Sequence, residues 1–242
     1  MSDLPIVWKQ GEHIGVVGRT GSGKTYLMAC LAQMRQYVVI LRTKPDKNKF
    51  PGFVKVRKAD AMRHWRSERL LLEPEYRRQS IEGYNMLEQV WIDGGWTAVI
   101  DENWYAEQIG LKPYIIRLFT QGRSKNISVV VGMQRPVDIS RFALSEITHL
   151  FVFRCEGRDL KFSLRDSTVD AIVPAVRSLR GHDFIYYNAA KEIMTTGNAN
   201  NLASIFTSTY RVQGLDTRPE ISDDDRAGST VQATGRNPRT IT

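Results

Sequence analysis

The chain has 242 residues, of which 42% are hydrophobic and 25% are charged, and it carries a formal net charge of +8. This composition is typical of a globular protein with one sizeable core, and no apolar run approaches the roughly 18 residues that a membrane-spanning helix needs. The first residues also lack the basic and apolar regions of a signal peptide, so membrane insertion and secretion are disfavoured and we expect a cytoplasmic protein.

The first predicted elements are a strand, a glycine-rich loop and a helix. HIGVVG (13–18) is short, β-branched and ended by glycine, as in a buried strand, and KTYLMACLAQMRQ (24–36) has apolar residues at helical spacing. The loop between them fits GxxxxGK followed by Ser or Thr, the Walker A motif, whose backbone amides curl around phosphate oxygens. The predicted nucleotide-binding residues are Gly18, Arg19, Thr20, Gly21, Ser22, Gly23, Lys24 and Thr25.

Two of these residues have a specific role in the prediction. Lys24 reaches the β- and γ-phosphates of ATP, and the Thr25 hydroxyl joins the coordination shell of Mg²⁺. ATP and Mg²⁺ are therefore the expected ligands. A phosphate loop serves kinases, switches, transporters and motors alike, so the class of protein has to be inferred from the rest of the chain.

Basic residues are concentrated between Arg42 and Arg69. Ten Lys and Arg stand there against three acidic residues, a local balance of 10 − 3 = +7. Such a cluster indicates either a polyanion partner or a solvated face of the domain. We expect the interleaved aromatic residues Phe50, Phe53 and Trp65 to be core. The candidate contacts to a nucleic acid backbone are Lys44, Lys47, Lys49, Lys55, Arg57 and Lys58.

Short apolar runs then alternate with helical stretches, which predicts a mainly parallel sheet flanked by helices, with the chemistry at the carboxyl ends of the strands. Residues 191–197 are predicted to be the return strand of a terminal hairpin, and Cys30 and Cys155 to be reduced core thiols. The other predicted strands are 37–41, 53–56, 70–72, 97–101, 127–132, 149–154 and 183–188, and the clearest further helices are 80–92 and 114–125.

The chain is predicted to have one domain followed by a tail. Residues 1–210 form the predicted ATPase domain. From residue 211 to residue 242 the composition changes to Gly, Ser, Thr, Asp and Pro with balanced charges, which is typical of a flexible tail.

The segment TAVIDENW (97–104) is predicted to be the Walker B motif. Asp101, at the end of a buried strand, would orient Mg²⁺, and Glu102 would polarise a water molecule for attack on the γ-phosphate. An adjacent Asp and Glu favour an ATPase over a small-molecule kinase, which needs no water-activating base. Asp93 is a weaker candidate, because it lies in a DGGW turn.

A third block, TQGRSKNISVVVGMQRPVDIS (120–140), separates motors from other phosphate-loop proteins. Gln134 stands at the tip of a strand predicted to neighbour the Walker B strand, where it could sense the γ-phosphate. The block resembles the FtsK/HerA superfamily of ring-forming DNA translocases, in which a helix, GR, a hydrophobic strand and QRP recur. By this resemblance Gln134 matches the sensor glutamine and Arg123 matches the arginine that reaches the neighbouring subunit, with Arg135 as the alternative.

The resemblance implies a phosphate-loop fold of the RecA-like (ASCE) type and a function in moving double-stranded DNA. The chain shows no membrane anchor, barrel domain or winged helix, which is how viral packaging ATPases of the superfamily differ from chromosome and plasmid translocases. We therefore expect a genome-packaging motor that forms a homo-oligomeric ring (a pentamer or hexamer) in the host cytoplasm and docks on a portal or capsid protein. The alternatives are a conjugation or segregation ATPase, and a nucleotide-gated DNA-binding protein without productive turnover.

Overall fold

The computed structural model describes residues 6–44, 50–64, 69–134, 145–155 and 172–201. Lys47, Lys49, Trp65, Arg135 and the predicted tail 211–242 lie outside the described residues. Each helix in the described part of the chain is too short or too polar to span a bilayer.

Nine strands of the described residues form one sheet. They are β1 (His13–Val17), β2 (Val38–Leu41), β3 (Val54–Val56), β4 (Leu70–Leu72), β5 (Thr97–Ile100), β6 (Ser128–Met133), β7 (Ile147–Phe153), β8 (Asp183–Asn188) and β9 (Ile193–Asn198). Their lateral order is β3-β4-β2-β5-β6-β1-β7-β8-β9. Every predicted strand is therefore present, with ends that differ by one or two residues.

The first seven strands pair in parallel, and β8 and β9 add antiparallel to the β7 edge. In the central pairings, Ile14 of β1 lies opposite Val130 of β6, and Val99 of β5 also lies opposite Val130. The predicted fold class, a mainly parallel phosphate-loop sheet flanked by helices, and the terminal hairpin are both confirmed. Because parallel strands all end at the same edge, the loops that follow β1, β2, β5 and β6 are brought together there.

Helices follow the strands at the predicted places. The short helix Asn103–Ala106 continues through a π-helical turn (Glu107–Leu111) into the helix Lys112–Gln121, and the chain kinks at Gly110, which has a φ of 93°. A three-residue 3₁₀ turn (Tyr76–Arg78) precedes the helix Gln79–Asp93, and a four-residue 3₁₀ turn (Gly122–Lys125) follows the helix Lys112–Gln121. The helices are α1 (Lys24–Gln33), α2 (Ala61–His64), α3 (Gln79–Asp93), α4 (Asn103–Ala106), α5 (Lys112–Gln121) and α6 (Ile172–Ser178).

The sheet separates two hydrophobic layers. Ile14 and Val16 of β1 pack with α1 on one face, whereas Val17 belongs to the layer of α3 and α5 on the other. This alternation follows from the two-residue period of a strand, and the β-branched residues of these central strands suit burial on both faces. Phe50 is fully buried, so the prediction that it is core is confirmed, whereas Phe53 is partly buried and packs edge-on against Phe50.

The fold also tests the predictions made for Cys30, Cys155 and Asp93. Both cysteines are free thiols, as predicted, but only Cys155 is buried, and Cys30 is partly exposed. Asp93 is the last residue of α3 and lies at the amino-terminal ends of the parallel strands, whereas the phosphate loop lies at their carboxyl ends. There it accepts hydrogen bonds from the Trp96 indole (3.1 Å) and the Gln89 amide (2.7 Å). Its carboxylate therefore ties α3 to the start of β5.

Candidate active site

The predicted phosphate loop joins β1 to α1 at the carboxyl edge of the sheet. The amide of Gly18 donates to the carbonyl of Met133 (3.0 Å), which anchors the start of the loop to the end of β6. Gly23 has a φ of 104°, a left-handed conformation that glycine adopts without strain. Because α1 begins at the next residue, the amino-terminal N–H groups of the helix lie at the loop, an arrangement that favours anions.

A cavity of about 640 Å³ lies beside this loop. It collects side chains from the ends of four neighbouring strands, which is where a doubly wound sheet places its ligands. Three of the predicted nucleotide-binding residues, Gly18, Arg19 and Ser22, do not line it. The lining residues are Thr20, Gly21, Gly23, Lys24, Thr25, Tyr26, Lys44, Asp101, Glu102, Trp104, Gly132, Gln134 and His182.

Lys24 lies over the loop that precedes it. Its ammonium donates to the carbonyls of Gly18 (2.6 Å) and Arg19 (2.8 Å). Burial lowers the pKa of Lys24, because desolvation penalises the charged form, and the nearby carboxylate of Asp101 partly opposes this shift. The loop thus holds a partly desolvated cation, whose attraction for phosphate is stronger than it would be in bulk water.

Thr25 and Asp101 meet across the cavity. The Thr25 hydroxyl donates to Oδ1 of Asp101 over 3.0 Å, so the two predicted magnesium ligands are adjacent although they come from α1 and from the end of β5. Hydroxyl and carboxylate oxygens are suitable ligands for Mg²⁺. No group of three or more His, Cys, Asp or Glu side chains in the described ranges could hold a metal ion by itself, so an ion here would share its ligands with phosphate and water.

Glu102 is held by two donors. The Lys44 ammonium lies 2.7 Å from its Oε1, and the Gln134 amide donates to the same oxygen over 3.2 Å. Gln134 reaches Glu102 because β6 pairs with β5, as predicted from the sequence. A Cβ atom at Gly132 would collide with the backbone carbonyl of Asp101, so glycine is needed for β6 to approach the Walker B segment this closely.

Arg123 is not part of this cluster. It lies in the 3₁₀ turn that precedes β6, and its side chain packs against Gly11, just before β1. The phosphate loop follows the other end of β1. The two sites are therefore separated by the length of a strand, roughly 15–20 Å at about 3.3 Å per residue, and Arg123 lies too far away to serve the cavity of its own chain.

The basic segment divides into exposed and internal cations. Lys55 in β3 and Arg57 and Lys58 just beyond it are exposed, and Lys55 also pairs with Glu73. Arg42 is buried, donates to the carbonyl of Lys44 (3.2 Å), and belongs to the core. The local charge of +7 therefore overstates the cationic surface, because a sequence count cannot distinguish buried arginines from exposed ones.

Four side chains of the cavity were not predicted to line a nucleotide site, namely Lys44, Tyr26, Trp104 and His182. His182 lies in the turn before β8, with its Nδ1 3.0 Å from the carbonyl of Ser22, so a residue far along the chain braces the phosphate loop. Trp104 and Tyr26 are exposed aromatic residues at the cavity. Lys44 was expected only as a nucleic acid contact. The order of the strands brings Lys44 and His182 there, so no local sequence pattern identifies them. Tyr26 directly follows Thr25 and Trp104 lies two residues after Glu102, so their positions beside the Walker motifs were the signal that could have identified them.

No protein-family model and no curated protein matches the sequence. The fold, however, is similar to solved structures. The genome packaging NTPase B204 from Sulfolobus turreted icosahedral virus 2, in complex with AMPPCP, superposes with a TM-score of 0.64 at 14% identity, covering 77% of this chain and 97% of that chain. B204 from Sulfolobus turreted icosahedral virus, the DNA-packaging ATPase, gives a TM-score of 0.60 at 15% identity, covering 79% and 98%.

A more distant likeness extends to the cytoplasmic domain of the type VII secretion ATPase EccC from Thermomonospora curvata. Its TM-score is 0.51 at 16% identity, over 78% of this chain and 25% of that chain. At such identities the comparisons show a shared fold. They confirm the suspected resemblance to viral packaging ATPases at that level, because a packaging NTPase superposes over nearly its whole length.

Proposed function

We propose that this protein hydrolyses ATP and uses the energy to move double-stranded DNA, as a viral genome-packaging motor. One observation carries the proposal: Lys24, Thr25, Asp101, Glu102 and Gln134, spread over three segments, meet around one cavity. ATP hydrolysis requires a phosphate-binding lysine, a hydroxyl–carboxylate pair that holds a metal ion, and a second carboxylate that activates water. These residues supply all three. The similarity in fold to a packaging NTPase supports the assignment of DNA as the transported polymer.

In the proposed reaction, Lys24 neutralises charge on the β- and γ-phosphates, and the amides at the start of α1 bind their oxygens. Thr25 and Asp101 would hold Mg²⁺, which when bound neutralises further phosphate charge and orients the triphosphate. Glu102 accepts a proton from the attacking water. Gln134, which contacts Glu102, is placed to report the loss of the γ-phosphate to β6.

Assembly into a homo-oligomeric ring is part of the proposal. Arg123 lies at the amino-terminal ends of the parallel strands, whereas the phosphate loop of its own chain lies at their carboxyl ends. Arg123 could therefore act only on another subunit's nucleotide. A ring in which each subunit presents Arg123 to its neighbour would couple hydrolysis around the assembly, since an arginine that reaches in from outside contributes about 10³ to 10⁵ in rate. Arg135 is the alternative residue for this role.

The proposed DNA contact uses exposed cations in and just beyond β3, with Lys55, Arg57 and Lys58 as its described members. Contact with phosphates alone suits a translocase, because reading bases would stall it. A portal or capsid protein is the expected docking partner, and the host cytoplasm the expected location.

The decisive experiment measures ATP hydrolysis with and without linear duplex DNA, together with displacement of a third strand from a triplex on that duplex. We expect DNA to stimulate hydrolysis and the protein to displace the third strand. Lys24→Ala serves as the control that is inactive in both assays. ATP binding without turnover would favour the nucleotide-gated DNA-binding protein and contradict the motor.

A conjugation or segregation ATPase that passes DNA to a membrane channel is the second candidate, since the fold is also shared with the cytoplasmic domain of a secretion ATPase, EccC. It would also translocate, so the third-strand assay does not separate the two. Binding to purified empty capsids or portal complexes would favour packaging. Binding only to a membrane channel complex would favour transfer.

A further inference from the structure

We propose that Lys44 is a catalytic residue that binds the transferred γ-phosphate from within the same chain. The inference rests on the proposed ATP hydrolysis and adds a cation that the Walker motifs do not supply. Lys44 lies three residues after the end of β2, outside the phosphate loop and outside both Walker segments.

The position of Lys44 results from strand order. Because β2 pairs with β5, Leu41 lies opposite Ile100, and the residues after both strands emerge side by side. Lys44 thereby comes to lie 2.7 Å from Oε1 of Glu102 and lines the same cavity as Lys24 and Thr25. In the sequence, Lys44 and Glu102 are separated by 58 positions.

The geometry at Glu102 places Lys44 near the reacting phosphorus. A water molecule activated by Glu102 must lie within hydrogen-bond distance of its carboxylate and about 3–3.5 Å from the phosphorus that it attacks. A cation that contacts the same carboxylate can therefore reach the γ-phosphate oxygens through a change in its side-chain conformation alone. Lysine has three N–H donors on a flexible stem, so its ammonium can hydrogen-bond to Glu102 and to phosphate together.

The charges of the cavity agree with this role. Lys24 and Lys44 both line this cavity, so both ammonium groups act on the same space. Asp101 and Glu102 bring two negative charges to the cavity. A triphosphate added to these carboxylates needs more positive charge than Lys24 alone provides, and Lys44 is the other lysine of the lining.

In the reaction, the water oxygen forms a bond to the γ-phosphorus while the bond from that phosphorus to the β–γ bridging oxygen breaks. ADP leaves with the electron pair, and the proton of the water passes to Glu102. Lys44 takes no part in the proton transfer and stabilises the charge that builds up on the γ-phosphate oxygens. Because it belongs to the same chain as the phosphate loop, Lys44 would support turnover even without a neighbouring subunit, which Arg123 could not do.

The test compares Lys44→Ala, Lys44→Arg and Lys112→Ala with the wild-type protein, in the absence of DNA. Lys112 is a matched control, because its side chain has nearly the same exposed fraction as that of Lys44 (52% against 56%) and also pairs with a glutamate, namely Glu107. We expect Lys44→Ala to lower kcat by about 10²-fold, Lys44→Arg to recover much of the loss, and Lys112→Ala to leave kcat unchanged. Thermal melts of all variants confirm that each is folded.

A second readout measures affinity for ADP with aluminium fluoride and Mg²⁺, a mimic of the transferred phosphoryl group, against affinity for ADP alone. Lys44→Ala should weaken binding of the mimic by about the same factor as kcat, with ADP affinity nearly unchanged. The comparison is repeated in a Glu102→Gln background. There Lys44→Ala should weaken the mimic again, because its contact is with phosphate.

Three results would overturn the inference. If Lys44→Ala weakens the mimic only when Glu102 is intact, Lys44 acts through Glu102. If Lys44→Ala raises turnover, Lys44 restrains the base. If it leaves both readouts unchanged and weakens only DNA binding, Lys44 is a DNA contact. A wild-type protein that hydrolyses no ATP would instead refute the proposed function, and binding of the mimic would still decide the role of Lys44.

Discussion

The stability of the fold should fall between pH 7 and pH 5 because of His13. This side chain is buried in β1, where the amide of Val129 donates to its Nδ1 (3.1 Å) and the ring of Phe119 lies 5.0 Å away. Burial lowers the pKa of His13 from 6.5 to about 4, with the positive charge of Arg123 as a smaller contribution in the same direction. The folded protein therefore holds a neutral imidazole that the unfolded chain protonates readily.

The sign and the size of the effect follow from these two pKa values. Stability is fully present above pH 6.5 and is lost as the pH falls toward 4, since the unfolded state then binds more protons. Proton linkage with a pKa of 6.5 in the unfolded state and about 4 in the folded state gives a loss of about 2 kcal/mol between pH 7 and pH 5. His149, whose pKa burial also lowers, adds a loss of the same sign.

Urea unfolding at pH 7 and pH 5, followed by tryptophan fluorescence, measures the free energy of unfolding in each condition. His13→Asn is the matched variant, because an amide oxygen can accept the Val129 hydrogen bond without titrating. We expect the pH-dependent loss to be smaller in this variant than in the wild-type protein by about 2 kcal/mol. An equal loss in both proteins would show that His13 is not the group responsible.

Four further predictions concern the candidate site. Lys24→Ala should abolish ATP turnover while leaving the fold intact, as nucleotide titration and a thermal melt would show; unchanged hydrolysis would remove the phosphate-site assignment. Glu102→Gln should bind and retain ATP while hydrolysis falls by on the order of 10² or more, and loss of binding in an equilibrium assay would instead indicate a structural or metal role. Arg123→Ala should keep ATP affinity but lose DNA-dependent turnover, and mixing it with Lys24→Ala should restore part of the activity. Background activity at every ratio, with mixed assemblies confirmed by cross-linking, would turn attention to Arg135. Gly132→Ala should destabilise the fold by about 1–3 kcal/mol and slow hydrolysis, because its new methyl group displaces the backbone of Asp101; wild-type values for both in urea unfolding and steady-state kinetics would contradict the close approach of β6.

Local patterns in the sequence determined much of the fold. The strand, loop and helix around Gly18 to Thr25 were predictable because β-branched runs, glycine spacing and helical periodicity act between residues close in the chain. Asp101 and Gln134 were predictable for a related reason. Each follows a buried apolar run, and parallel strands must all end at one edge of the sheet.

Contacts between distant residues were decided only by the tertiary structure. The order of the strands places β2 beside β5 and so brings Lys44 to Glu102, a pairing that no spacing in the sequence reveals. The same packing buries Arg42 and places His182 in contact with the phosphate loop. It also places Arg123 at the other end of the strands, beside Gly11. The physical reason is that the lateral order of strands and the burial of a charge depend on non-local packing. Composition and periodicity, by contrast, record only what each segment favours by itself.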